Sequence, residues 1–224
     1  MAKKRTTSTP ATDAPNPAAT LQQRYMAYLL EQGQRPQSVY QFAKSLEMPE
    51  QDFYEHFNSL ESLEKGIWAS FFEDTLSKIQ NDPTFQQYGV REKLLAFYFT
   101  LIEGLKANRS YVDFCFKHLP KGTLRPFFLE HMRSGFLSFA QELTNEGQES
   151  GEFAQRLFIT DSYKDALWLQ LRYILKFWLK DESKNFEQTD AAIEKVVNVA
   201  FDLMGRTFID TIVDFVKFNL QKNK

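Results

Sequence analysis

The chain has 224 residues, and its 27 lysines and arginines stand against 29 aspartates and glutamates for a formal charge of −2. That balance excludes a surface given over wholly to nucleic acid, so any contact with DNA has to be local. The single cysteine, Cys115, excludes an intramolecular disulfide and fits a reducing compartment, and no uncharged apolar run reaches the roughly 18 residues of a membrane span.

Lys3-Lys4-Arg5 has no apolar stretch behind it and does not read as a secretory signal, so a cytoplasmic location is expected. Residues 1–20 carry little to bury, and Pro10, Pro15 and Pro17 interrupt any helix; a disordered tail is predicted. Its basic cluster suits phosphates or an acidic partner, or is simply a solvated terminus.

The first helix is predicted from Thr20 as N-cap, with Leu21, Tyr25, Tyr28 and Leu29 on one face and Gly33 ending it. The second follows Arg35-Pro36, with Ser38 near its start and Val39, Phe42, Ala43 and Leu46 as its apolar stripe. A brief Glu47-Met48 turn leads to Pro49 in the first turn of a third helix. There Phe53, Tyr54 and Phe57 close a three-helix core. Two short amphipathic helices joined by so short a turn make a helix-turn-helix. After Asn58-Ser59 a fourth helix runs to about Gln80 through Leu63, Ile67, Phe71, Leu76 and Ile79. Asn81-Asp82-Pro83 stops it.

The remaining chain reads as helices throughout. Val90 to about Ala107 carries Leu94, Tyr98, Leu101, Ile102 and Leu105, and Ser110–His118 is short and aromatic. From Pro126 to Glu149 runs a helix through Phe128, Met132, Phe136, Phe139 and Leu143, ended by Gly147 and Gly151. Thr160-Asp161-Ser162 then caps a helix reaching Leu179, and Asp181–Gln188 is a polar loop. Thr189, with Ala192 three residues on, caps the last helix, which continues through Ile193, Val197, Phe201, Phe208, Ile212 and Phe215. The last two helices are apolar on more than one face, which predicts a four-helix interface with a second copy. The fold class expected is all-α. Residues 1–20 form the tail, 21–66 a helix-turn-helix head, and 67–224 a helical dimerising and ligand-binding body.

Aromatic residues make up 15% of the chain, with 22 phenylalanines, more rings than a core of this size needs. Phe97, Phe114, Phe128, Phe136, Trp168, Tyr173 and Trp178 either line an apolar effector pocket or pack as plain core. Catalytic chemistry has little to work with. His56, His118 and His131 have no partner at metal-ligand spacing, Cys115 sits in an aromatic helix, and no glycine-rich phosphate loop exists. Asp181-Glu182 reads as a solvated pair. No enzyme, metal or cofactor is expected.

Gly33, Gln37-Ser38-Val39, Phe42-Ala43, Tyr54-Glu55-His56-Phe57 and Ser59-Leu60-Glu61-Ser62-Leu63 together resemble the head of the TetR family of bacterial repressors, over about residues 21–68. The body resembles that family in type, with Trp178 and Asp181 followed by Thr189–Met204. The resemblance implies a homodimeric transcriptional regulator that binds operator DNA and releases it when an apolar small molecule occupies the body. It places Ser38 on phosphate, Gln51 and Asp52 at base edges, and Tyr54 and His56 near the backbone. Three features depart from the pattern. Leu60 stands where the family has a phosphate-contacting lysine. The third helix has Glu50, Asp52 and Glu55 and no cation. Across Leu21–Gly66, seven acids outnumber four cations. DNA affinity is largely phosphate neutralisation, so a second reading stands beside the first: the same fold without DNA binding, serving as a lipid or small-molecule binder or a protein-interaction module.

Overall fold

Burial of one stripe per helix shapes both parts of this chain. The computed structural model describes residues 16–120, 122–123, 125–154 and 162–205, and among these every regular element is helical. The chain divides into two compact units, Met1–Leu63 and Glu64–Lys224.

In the first unit, α1 (Pro17–Gln32) begins three residues before the expected Thr20. Asn16 is the N-cap, and its side chain accepts from the Ala18 N–H at 3.1 Å. Pro17, read from sequence as an interruption, occupies the first turn, where its missing N–H costs nothing and its φ is already helical. Residues 17–20 are therefore helix with Asn16 as their cap, and residues 1–15 of the expected tail lie outside the described residues. Gly33 ends α1 at φ 67°, donating its N–H to Leu29 O at 2.9 Å. In α2 (Val39–Ser45) the Ser38 hydroxyl caps the Gln41 N–H, while the Gln41 side chain reaches back to the Gln37 N–H at 2.8 Å. α3 (Glu50–Tyr54) follows Pro49.

The turn between α2 and α3 is closed by two backbone bonds, Met48 N–H to Ala43 O at 3.1 Å and Glu47 N–H to Lys44 O at 3.2 Å. This is the Schellman pattern, which needs a left-handed residue at its centre. Here that residue is Glu47, at φ 54°. A side chain with a Cβ is strained there by about 1 kcal/mol relative to glycine. Glu47→Gly is therefore expected to raise stability by about 0.5–1 kcal/mol, read as a higher urea midpoint at unchanged slope; a lower midpoint would refute the strain.

Leu21, Tyr25, Leu29, Phe42 and Phe53 form the core of this unit. Phe42 is its hub, meeting Tyr25, Tyr28 and Phe53 edge-on at 5.2, 5.8 and 6.2 Å. Tyr54, expected inside, is 49% exposed. A five-residue helix points few residues inward, and Phe53 takes the central place.

The second unit is built around α5 (Val90–Lys106), which packs against α6 (Arg109–Lys117), α7 (Glu130–Ser150), α8 (Tyr163–Lys180) and α9 (Glu187–Met204). Leu94, Phe97, Tyr98, Leu101 and Leu105 are its buried stripe. The boundary between units falls within α4 (Leu60–Gln80). Ser59 and Ser62 open α4 reciprocally, each hydroxyl accepting the other's N–H at 3.0 Å. Two short 3₁₀ turns not anticipated from sequence, Phe85–Gln87 and Phe127–Leu129, bury Phe85, Phe128 and Leu129.

Gly147 does not end α7, as expected from sequence. It lies inside the helix under the Phe153 ring, where an added Cβ would meet ring carbon at 2.4 Å. Gly151, at φ 82°, is the terminus. Phe158, Ile159 and the Thr160-Asp161 cap lie outside the described residues, as does the expected continuation of α9 through Phe208, Ile212 and Phe215. α9 closes at Gly205 after Met204.

The α8–α9 connection overturns two further expectations. Asp181 is 4% exposed rather than solvated. One carboxylate oxygen accepts from Ser183 N–H and Oγ–H at 2.8 and 2.6 Å. The other accepts from Thr189 N–H and Oγ–H at 2.8 and 2.6 Å. Thr189 is thus not the cap of α9. It sits within the first turn as a donor, and Asp181, eight residues upstream, does the capping. Burial alone would raise the Asp181 pKa, but the four donors outweigh it and hold it at about 2. On the other side of the loop, the Arg109 guanidinium bonds the carbonyl of Leu179 at 2.9 Å and lies 3.5 Å from those of Trp178 and Asp181, capping the C-terminal end of α8.

Candidate nucleic-acid interface and the clefts of the body

The residues singled out for DNA all belong to the first unit. Ser38 holds the N-cap of α2, with its hydroxyl engaged by the helix. Gln51 and Asp52 are exposed on α3, and His56 is exposed just beyond it, held by its N–H to Phe53 O at 3.1 Å. Tyr54 projects outward, its ring edge-on to Phe53 at 5.6 Å and its hydroxyl donating to Glu50 at 3.0 Å. That bond to the Glu50 carboxylate raises the Tyr54 pKa, so the phenol stays a donor. Tyr40 on α2, which carries no mark in the sequence pattern of a DNA-facing residue, is 60% exposed. Its place opposite the Phe42 stripe was the available signal. Leu60 is half-buried at the start of α4.

The electrostatics of this unit are unfavourable to a polyanion. Residues 16–63 contain Glu31, Glu47, Glu50, Asp52, Glu55 and Glu61 against Arg24, Arg35 and Lys44, a net −3. Four of the six acids lie on α3 or its flanks.

The seven aromatic residues named for a pocket do not share one cavity. Phe97, Phe114, Phe128, Phe136 and Trp178 are buried and tightly packed. Phe97 meets Phe136 at 5.4 Å, Phe128 stacks on Trp68 at 5.2 Å, Phe114 lies 4.1 Å from the His118 ring, and Trp178 meets Phe186 at 6.0 Å. Trp68, not among the seven, is central: Phe71, Tyr111, Phe116 and Phe128 surround it, and its buried Nε1–H has no hydrogen-bond partner.

Trp168 contributes to a cleft of about 750 Å³ on α7 and the start of α8, with Phe127, Leu129 and Leu137 beside Arg125, Arg133 and Lys164. Arg133 is paired with Asp165 at 2.8 Å, and Lys164 bonds Gln141 at 3.0 Å. Tyr173 belongs to a different groove of about 650 Å³ along α8 and α9, lined almost wholly by apolar side chains. There Leu169, Tyr173, Val199 and Leu203 are 61, 49, 56 and 45% exposed. The opposite faces of the same helices carry the buried Leu167, Leu171, Ile174, Ile193, Val197 and Phe201. Both helices are therefore apolar on two sides. Among the described residues no group of three or more His, Cys, Asp or Glu side chains is placed to hold a metal ion.

A three-helix head with a helix-turn-helix and a helical body with an apolar outer face on its last two helices define an all-helical architecture of the helix-turn-helix class. Residues 93–218 match the model of the tetracyclin repressor-like C-terminal domain, and the chain belongs to this family of TetR-type proteins. Solved structures agree in fold. A protein from Syntrophomonas wolfei assigned to the TetR-family regulators is similar at a TM-score of 0.66 and 14% identity, over 82% of this chain and 94% of that one. A TetR-family protein from Shewanella sp. PV-4 is similar at 0.61 and 16%, over 84% and 98%. The fatty acid degradation regulator FadR of Bacillus halodurans is similar at 0.60 and 19%, over 85% and 97%. No curated protein matches the chain. Among the described residues, no helix is long and apolar enough to cross a membrane.

Proposed function

We propose that this protein is a cytoplasmic, non-enzymatic transcriptional regulator that binds operator DNA as a homodimer and responds to an apolar small molecule held in the body. The observation that carries the reading is the helix-turn-helix α2–α3, with Gln51, Asp52 and Tyr54 outward on α3, in a chain whose body is of the tetracyclin repressor type. Ser38, Gln51, Asp52, Tyr54 and His56 are the DNA-facing set. The dimer forms through the exposed Leu169, Tyr173, Val199 and Leu203 on α8 and α9, a face more apolar than solvent exposure favours. The effector occupies the aromatic body, where the unpartnered Trp68 Nε1–H supplies a donor that a ligand oxygen would satisfy. A fatty acid or similar amphiphile is the first class to try, given the structural likeness to FadR.

The test is fluorescence anisotropy of the purified protein with fragments of its own genome. Saturable binding that weakens steeply as salt rises is expected. Absence of binding even at about 50 mM salt refutes the DNA reading. It would favour the second one, a regulator fold kept for ligand or partner binding, whose motive is the net −3 of residues 16–63. Native mass spectrometry then decides whether the body retains a small molecule.

A further inference from the structure

An anion with an apolar body binds best where uncovered apolar surface adjoins a cation that no carboxylate has claimed. The cleft on α7 and the start of α8 carries both. Arg133, Ser134, Leu137, Ser138 and Gln141 recur along one face of α7 and form its wall. From Glu130 to Glu142, both at its edge, the helix rises roughly 18 Å, so the cleft is an elongated trough. Phe127 and Leu137 are only half-buried there, so part of their apolar surface stays uncovered. Trp168 of α8 adds a ring to the floor.

The charges of the trough do not cancel. Glu130 is held by Lys65 at 2.6 Å, and Asp165 by Arg133 at 2.8 Å. Lys164 is engaged with the neutral Gln141 side chain at 3.0 Å. Arg125 is exposed at the end where Pro126 and Phe127 lead into α7, and it bonds no acid among the described residues. Glu142, also exposed, stands a helix length away along α7. No lining residue is shared with the groove on α8 and α9, so the trough and that groove can be occupied independently.

We propose that this trough binds a single-chain amphiphilic anion, with its head group on the Arg125 guanidinium and its alkyl chain over Phe127, Leu137 and Trp168. A planar guanidinium takes a carboxylate or a phosphate through two parallel N–H···O bonds. The chain supplies affinity by covering the half-buried side chains, and Arg125 selects the sign of the head. The site goes beyond the effector reading, which places a ligand among the rings around Trp68, and it does not depend on DNA binding.

The experiment uses the full chain and dodecanoate brominated on its last carbon, since bromine quenches tryptophan emission on contact. Of the three tryptophans, Trp168 lines the trough, while Trp68 and Trp178 are fully buried elsewhere. Saturable quenching below the micelle concentration is expected, and Trp168→Phe should remove it. Arg125→Gln, a surface change, should raise the dissociation constant about tenfold. Unlabelled dodecanoate and dodecyl phosphate should both displace the probe, and the one effective at lower concentration identifies the preferred head. Dodecyltrimethylammonium should need about tenfold more or higher. Quenching that survives in Trp168→Phe places the chain beside another tryptophan; it refutes the trough and supports the Trp68 reading. An unchanged constant in Arg125→Gln, or equal displacement by the cationic amphiphile, refutes an anion site. Absence of quenching in wild type refutes the trough and leaves the DNA reading, measured separately, as it stands.

Discussion

Leu169→Asp is expected to leave the protein monomeric at concentrations where the wild type, through the proposed α8–α9 interface, sediments as a dimer. Leu169 is 61% exposed beside Val199, in a groove on α8 and α9 with almost no polar lining. In an isologous interface each substitution occurs twice, so two unpaired carboxylates would be desolvated on association. At on the order of 3 kcal/mol each, the dissociation constant should rise by roughly four orders of magnitude. Sedimentation velocity gives the state directly. The fold should survive, because the substituted side chain is outside the core and Leu167 and Leu171 on the inner face are untouched; an unchanged circular dichroism spectrum checks this. A dimer that persists in Leu169→Asp and in Val199→Asp would place the interface elsewhere.

Asp181→Ala is expected to destabilise the folded chain by on the order of 3 kcal/mol. Four donors converge on this buried carboxylate, and the truncation leaves Thr189 N–H and Oγ–H without their acceptor in a fully buried position. The pH dependence supplies an independent check. The folded-state pKa, about 2, lies below the ordinary 3.8. The unfolded chain therefore binds the proton more readily, and the carboxylate's contribution is fully present above pH 3.8 and is lost as pH falls through about 2. Asp181→Asn keeps the shape and removes the charge. Its stability deficit against wild type should be constant from neutral pH down to about 4 and shrink between about 4 and 2. A deficit independent of pH in that window would show that the charge contributes nothing.

Periodicity alone located most of the helices, because each must bury a stripe and the stripe repeats every three or four residues. Leu21, Tyr25 and Leu29 gave α1, and Ile193, Val197 and Phe201 gave α9. Errors gathered where one residue type has two uses. Pro17 was read as a breaker and is an N-terminal helix residue. Gly147 was read as a terminus and is the hollow that receives Phe153. Asp181 was read as solvated, yet it caps a helix that begins six residues later, an interaction with no fixed sequence spacing.

The helix-turn-helix that carries the candidate DNA residues was legible because Ser38 and the Tyr54–Phe57 segment belong to a recurrent head; the structure places Gln51, Asp52, Tyr54 and His56 at the surface of it. The aromatic pocket was not legible in the same way. A sequence counts rings but does not say whether they face each other or a void, and five of the seven proved to be packed side chains. Trp68, at the centre of that packing, had no distinguishing pattern of its own.

By itself, then, the sequence determined the all-α class, the helix-turn-helix head and the acidic character of α3. These depend on residue type and local spacing, which tertiary contacts do not alter. Only the tertiary structure decided which apolar residues of α8 and α9 remain exposed and that Asp181 is buried and ligated by four donors. Each of these depends on which distant segments meet, and an amphipathic stripe specifies that something must cover it without specifying what.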